Sequence, residues 1–164
     1  MIVHASLIAR RLDGLWRGAL IEGPSGTGKS DLVLRCLGAG FCLVADDRVI
    51  LFASAGRLYG RAPESLTGRL EVRGLGIVAA PTLAFASIAV VVRLSAAVER
   101  LPDPAVAVRL GVAIETARLS AFEASAPAKL AALLEALGRP RQEGYLAPFA
   151  PRGGRGGSPL RHSV

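Results

Sequence analysis

The stretch from Leu15 to Asp47, LWRGALIEGPSGTGKSDLVLRCLGAGFCLVADD, decides the fold. Its first run, LWRGALIEG, is short and apolar, as a strand is, and it feeds directly into GPSGTGKS. After that loop, KSDLVLRCLGAG puts Leu32, Leu34, Cys36 and Leu37 on a short helix ended by Gly38 and Gly40. FCLVADD is then a buried strand with Asp46 and Asp47 at its carboxyl end. The order is strand, glycine loop, helix and strand.

The loop, Gly23-Pro24-Ser25-Gly26-Thr27-Gly28-Lys29-Ser30, has the pattern G-x-x-x-x-G-K-S. Its glycines let successive backbone N–H groups turn inward on a phosphate chain, and the helix N-terminus adds its positive end. Lys29 would reach the β and γ phosphates and Ser30 would bind magnesium. The chain has only two lysines, Lys29 and Lys129, against eighteen arginines, so a lysine at this position is less easily incidental. The competing reading is a flexible Gly/Ser turn, which would not need a strand before it and a helix after it.

An acid at the end of an apolar strand serves either of two chemistries. It binds magnesium, directly or through water, or it takes the proton of an attacking hydroxyl. Adjacent residues on a strand point to opposite faces, so only one of Asp46 and Asp47 is expected to face the phosphates. A solvated turn before a hairpin is the plain alternative.

Working outward, IVHASLIA precedes LWRGALIEG across the turn signal Asp13-Gly14, which predicts two adjacent strands. RVILFAS and RLYGRA flank Ala55-Gly56 as a second hairpin. PESLTGRLEVRGLGIVAAP is dense in glycine and reads as a turn-rich segment with one short strand or helix. SIAVVVRL is a strand, a Pro-rich turn follows, and VRLGVAIETARLS holds a strand pair. SAPAKLAALLEALG forms an amphipathic helix with Ser125 as N-cap, Pro127 in the first turn, Leu130, Leu133, Leu134 and Leu137 as the buried stripe, and Gly138 as C-cap. The folded domain is expected over residues 1–138. Residues 139–164, rich in Pro, Gly and Arg, are expected to be disordered or ordered only through a partner.

Composition narrows the function classes. A chain of 164 residues with 51% hydrophobic and 20% charged residues has enough apolar surface for one packed core, which excludes disorder throughout. The net charge of +7 is uneven. Five arginines against Glu143 give residues 139–164 a charge of +4, which leaves the domain only mildly basic at +3. Nucleic-acid binding is therefore not expected, since the tail offers only Tyr145 and Phe149 for stacking. Cys36 and Cys42 form no metal-ligand pattern and are expected as reduced thiols in a cytoplasmic protein. The N-terminus has neither the charged start nor the length of a signal peptide or membrane span.

With GPSGTGKSDLVLRCLGAGFCLVADDRV followed by GRAPESLTGRLEVRGLGIV, the chain resembles the catalytic domain of the HPr kinase/phosphorylase family. These bacterial enzymes phosphorylate a serine of HPr, the small phosphocarrier of the sugar phosphotransferase system. The likeness is close to about residue 80 and weaker to about 138, where FEASAPAKL is similar to the short forms of some proteobacteria. It implies a P-loop α/β domain of the phosphoenolpyruvate-carboxykinase-like kind with mixed sheets, usually assembled as a hexamer. The activity it implies is an ATP- and magnesium-dependent serine protein kinase, possessing in the family a phosphorolysis reaction as well.

Position by position, the resemblance makes Asp47 the base that takes the serine proton and returns it in phosphorolysis, with Asp46 supporting it. Lys29 and Ser30 become the phosphate lysine and the magnesium-binding hydroxyl, Glu71 a second magnesium ligand, and His4 an active-site histidine. Read on their own, His4 equally fits a structural or solvated residue, and Glu71 and Arg73 equally fit a surface ion pair. Arg73 also suits phosphate oxygens. The family's N-terminal domain, its later glycine- and arginine-containing loop and its C-terminal helix with a catalytic arginine have no clear counterpart here, which bears on phosphorolysis and on docking of HPr. A degenerate nucleotide-binding sensor and a P-loop NTPase or small-molecule kinase are the rival classes.

Overall fold

A computed structural model describes residues 1–98 and 105–138. The expected tail over 139–164 and the Pro-rich turn lie outside the described residues. In chain order the elements are β1 (Ile2–Leu12), β2 (Leu15–Glu22), α1 (Lys29–Gly38), β3 (Cys42–Ala45), β4 (Arg48–Ser54), β5 (Arg57–Arg61), a 3-10 turn (Glu64–Leu66), β6 (Arg69–Val72), β7 (Gly76–Ala79), β8 (Ala86–Leu94), β9 (Ala105–Arg109), β10 (Val112–Leu119) and α2 (Ala126–Gly138). The fold is mixed α/β. No described helix is long and apolar enough to cross a membrane.

The strands form an eight-stranded mixed sheet and a separate two-stranded sheet, β6–β7. Strand order in the large sheet is β2-β1-β4-β5-β8-β10-β9, with β3 also on β1. A further parallel pairing of β2 with β8 closes β2, β1, β4, β5 and β8 into a ring. The closure is tight: a Cβ built on Gly60 would lie 2.5 Å from Leu7 Cδ2 and 2.9 Å from Val49 Cγ1. A side chain at this position would enter the space that the Leu7 and Val49 side chains fill.

Alternation explains why β1, β2 and β8 read as nearly continuous apolar runs. Leu7, Leu20 and Val91 belong to a cluster gathered within the ring, while their neighbours Ile8, Ala19, Ile21, Val90 and Val92 pack against Leu32, Val33, Cys36, Leu130 and Leu134 of the two helices. Strands buried on both faces have no polar side to display. Each such fully buried aliphatic side chain contributes about 1.5–3 kcal/mol of transfer free energy.

The hairpins expected at Asp13-Gly14 and Ala55-Gly56 are present, with β1 paired to β2 and β4 to β5. So is the strand pair β9–β10. In α1, Leu32, Val33 and Cys36 are buried, Leu37 is partly buried and Leu34 is exposed. Two expectations need correction. In α2, Leu130 and Leu134 are buried but Leu133 and Leu137 only partly so. The glycine-rich segment holds a 3-10 turn and two four-residue strands, whereas one element was expected. Its strands bury only Leu70, so there was little apolar periodicity to read.

Candidate active site

β2 ends at Glu22 and α1 begins at Lys29, so the glycine loop joins the carboxyl end of a doubly paired strand to a helix N-terminus. Gly28 is the N-cap residue, at φ 88°, and no side chain caps the helix. The first-turn amides, which by helix geometry have no partner four residues back, are left pointing out of the helix end. Two contacts stiffen the loop from behind: Thr27 Oγ1 donates to the Pro24 carbonyl at 2.7 Å, and a Cβ on Gly23 would strike Thr27 Oγ1 at 2.8 Å. The Lys29 side chain folds back so that Nζ donates to the carbonyls of Gly23 at 2.8 Å and Pro24 at 3.0 Å. Although Lys29 is only 7% exposed, its ammonium lines the loop with a third donor in hand.

Asp46 is buried at 5% exposure, just past the end of β3. Ser6 Oγ donates to its Oδ1 at 2.6 Å, and Ser30 Oγ to its Oδ2 at 3.1 Å. Among the described residues no cation stands within ion-pair distance of it. A buried carboxylate held by hydroxyls alone keeps strong acceptor capacity beside Ser30.

Asp47 is arranged differently. It adopts φ 66° and its side chain is 59% exposed. His4 Nδ1 lies 3.1 Å from its Oδ1 and 3.0 Å from its backbone carbonyl oxygen, so a proton on that nitrogen is shared between them. His4 is placed by register, opposite Arg48 where β1 pairs with β4. The Arg48 guanidinium is more distant, 3.9 Å from Oδ2.

Both acids line one cavity. The strand stops at Ala45 and Asp47 takes a left-handed conformation, so the alternation of faces along a strand does not extend to it. Aspartate tolerates this conformation better than most residues.

One cavity of about 410 Å³ is lined by His4, Ser25, Gly26, Gly28, Lys29, Ser30, Asp46, Asp47, Glu71 and Arg73. Gly23, Pro24 and Thr27 shape the loop behind it. Glu71 is the next-to-last residue of β6, which ends at Val72, and Arg73 sits in the β6–β7 turn; both are exposed, and neither forms an ion pair among the described residues. Four further lining residues escaped the sequence reading: Asp31, Leu34, Val72 and Phe122. Ser6 escaped it too, though a serine inside the apolar run ASLIA is the kind of polar interruption that marks a buried hydrogen bond.

Electrostatically the cavity carries Lys29 and Arg73 against Asp31, Asp46, Asp47 and Glu71. A polyphosphate placed there would add negative charge to an excess of carboxylates, which a divalent cation would offset. Among the described residues no group of three His, Cys, Asp or Glu side chains is placed to hold a metal by itself. That donor set fits magnesium, which binds through one or two protein oxygens, water and substrate phosphates.

The described geometry can be set beside known proteins. Residues 3–101 match the family model for the HPr serine kinase C-terminal domain. The chain is 48% identical over 66 residues to the HPr kinase/phosphorylase of Clostridium tetani, a match covering 40% of this chain and 22% of that protein. To the HPr kinase/phosphorylase of Bordetella pertussis it is 51% identical over 67 residues, again 40% of this chain and 22% of the relative. The match thus spans less than a quarter of the length of these curated relatives. The fold is similar to the structure of the Hpr(Ser) kinase/phosphatase from Coxiella burnetii, with a TM-score of 0.70 at 21% identity, covering 83% of this chain and 95% of that one. With more than half of its residues matched by the family model, the chain belongs to the HPr serine kinase C-terminal domain family.

Proposed function

We propose that this cavity is the catalytic centre of a cytoplasmic, ATP- and magnesium-dependent kinase that phosphorylates a serine of HPr or an HPr-like phosphocarrier. The glycine loop is read as a P-loop, in a domain of the phosphoenolpyruvate-carboxykinase-like kind. One observation carries the proposal: Lys29 and Ser30, the residues that would hold a triphosphate, share a cavity with an exposed carboxylate, Asp47, that a protein hydroxyl can reach.

In the forward reaction the serine oxygen attacks the γ-phosphorus in line and the bond to the β-phosphate oxygen breaks, releasing ADP. Asp47 accepts the serine proton as the oxygen becomes bonded to phosphorus. His4, donating to Asp47, fixes the carboxylate's orientation. Lys29 exchanges the carbonyls of Gly23 and Pro24 for β and γ phosphate oxygens, and the first-turn amides of α1 hold the rest of the chain. Magnesium, when bound, neutralises charge on the phosphoryl group being transferred. Ser30 and Glu71, with Asp46 behind Ser30, are the residues that would hold it. Arg73 is in reach of the same phosphates. In phosphorolysis the same groups would serve as inorganic phosphate attacks the phosphoserine phosphorus, the bond to the serine oxygen breaks and pyrophosphate forms, with Asp47 returning the proton to the serine oxygen.

The test is transfer from labelled ATP, with magnesium, to HPr from the same organism, beside HPr whose acceptor serine is changed to alanine. Labelling of the unmodified protein alone is expected. ATP binding without transfer to any HPr would overturn the kinase reading in favour of a nucleotide sensor, and ATP hydrolysis without an acceptor would favour an NTPase.

A further inference from the structure

Phe122 is 72% exposed although the segment carrying it is fastened on both sides. The preceding Ala121 is buried at 3% exposure. The Arg35 guanidinium of α1 donates to the Ala121 carbonyl and, at 3.1 Å, to the Glu123 carbonyl, and is itself held by Asp31 at 3.0 Å. Glu123 pairs with Lys129 of α2, and its carbonyl accepts the Ala126 amide at 3.0 Å. A backbone so tied to both helices presents the ring at the surface, and its apolar face is in water at a cost that contact with a ligand would relieve.

The ring's place gives the exposure its meaning. A Cβ built on Gly28 would lie 3.0 Å from Phe122 Cε1 and Cζ, so the ring edge abuts the last glycine of the phosphate-binding loop. Phe122 lines the same cavity as Lys29 and Ser30, as does Leu34, one helical turn beyond Ser30 and 39% exposed. Among the described lining residues these are the two large hydrophobic side chains left exposed. A triphosphate held by the amides of residues 28–31 must carry its ribose and base away from the loop at its α-phosphate end. The apolar surface beside Gly28 is where a flat, weakly hydrated group is best received.

We propose that Phe122, backed by Leu34, is the platform on which the purine base of the nucleoside triphosphate stacks, with Arg35 as the positioning residue that fixes it. This rests on the reading of residues 23–30 as a phosphate-binding loop, and it adds the part of the ligand that the loop cannot recognise. Stacking recognises the face of the base and leaves its edge unread.

Calorimetric titration of the full chain with ATP and with inorganic tripolyphosphate, both with magnesium, tests it in three proteins: the natural sequence, Phe122→Ala and Phe122→Trp. Natural protein is expected to bind ATP more tightly than tripolyphosphate. Phe122→Ala should weaken ATP roughly 5- to 100-fold and leave tripolyphosphate unchanged, the range that loss of one base–aromatic stack allows. Phe122→Trp should retain ATP, which a merely structural role for the phenyl ring would not require. Equal affinity of the natural protein for both ligands, or equal losses of both in Phe122→Ala, would overturn the platform and leave the phosphate loop standing. Failure of the natural protein to bind either ligand would overturn the phosphate-loop reading and the platform with it.

Discussion

Asp46 sits in the inner wall of the cavity, closed over by the hydroxyls of Ser6 and Ser30, whereas Asp47 stands on the outer rim, open to water beside His4 and the β6–β7 hairpin. The wall is made from β1, the end of β3 and the first turn of α1, all of them packed on the core. The rim depends on one left-handed residue and on a hairpin that pairs with nothing but itself. Two adjacent carboxylates therefore stand in different surroundings: the buried one accepts from Ser6 and Ser30, while the exposed one is the group that, under the proposed function, would meet an incoming hydroxyl.

The sharpest way to break this comparison is at the rim. Asp47→Asn keeps the shape and removes the proposed base, so transfer to HPr should fall by about 10²–10⁴-fold, with ATP affinity and urea midpoint within error of the natural protein. Normal transfer by that variant would end the assignment. At the wall the expected effect is smaller and of another kind. Asp46→Ala strips the acceptor from two hydroxyls, one of them on a buried serine, and should cost about 1–3 kcal/mol of stability in urea unfolding. If Asp47→Ala costs as much as Asp46→Ala, wall and rim are not distinct.

A third measurement sharpens the picture of the wall from behind. Burial pushes the Cys36 thiol of α1 up to about 12 from 9.0, against the opposing pull of the Arg35 charge. Its folded value is raised, so the group leaves stability unchanged below about pH 9 and removes it as pH climbs from there toward 12. Cys36 should resist iodoacetamide at pH 8 in the native protein while half-buried Cys42 is labelled. Equal labelling would mean that α1 does not seal the wall.

Much of the wall was legible in the sequence. The glycine loop between an apolar strand and a helix, and acids at the end of the next strand, follow from local chemistry that burial leaves no room to vary. The rim was less so. Nothing in LVADDRV signals that Asp47 takes φ 66°, since that conformation answers to the strand's end and the start of β4 rather than to the residue itself. The β6–β7 strands carry one buried side chain, Leu70, between them, too few for a period to appear. Phe122 lies far along the chain from Gly28, and tertiary contacts bring it there: the burial of Ala121 and the hydrogen bonds of Arg35 to the Ala121 and Glu123 carbonyls. Ser6 shows that even the wall keeps something back, because its partner is forty residues away.

The closed ring of β2, β1, β4, β5 and β8 has a consequence for amide hydrogen exchange. Every strand in it is paired on both sides, so the central amides of β1 and β2 can exchange only when most of the domain opens. The β6–β7 amides need only the hairpin to part, and they should exchange orders of magnitude sooner in deuterated buffer. The loop that would grip the phosphates thus hangs from a strand paired on both sides, while Glu71 belongs to and Arg73 follows a strand paired only within its own hairpin.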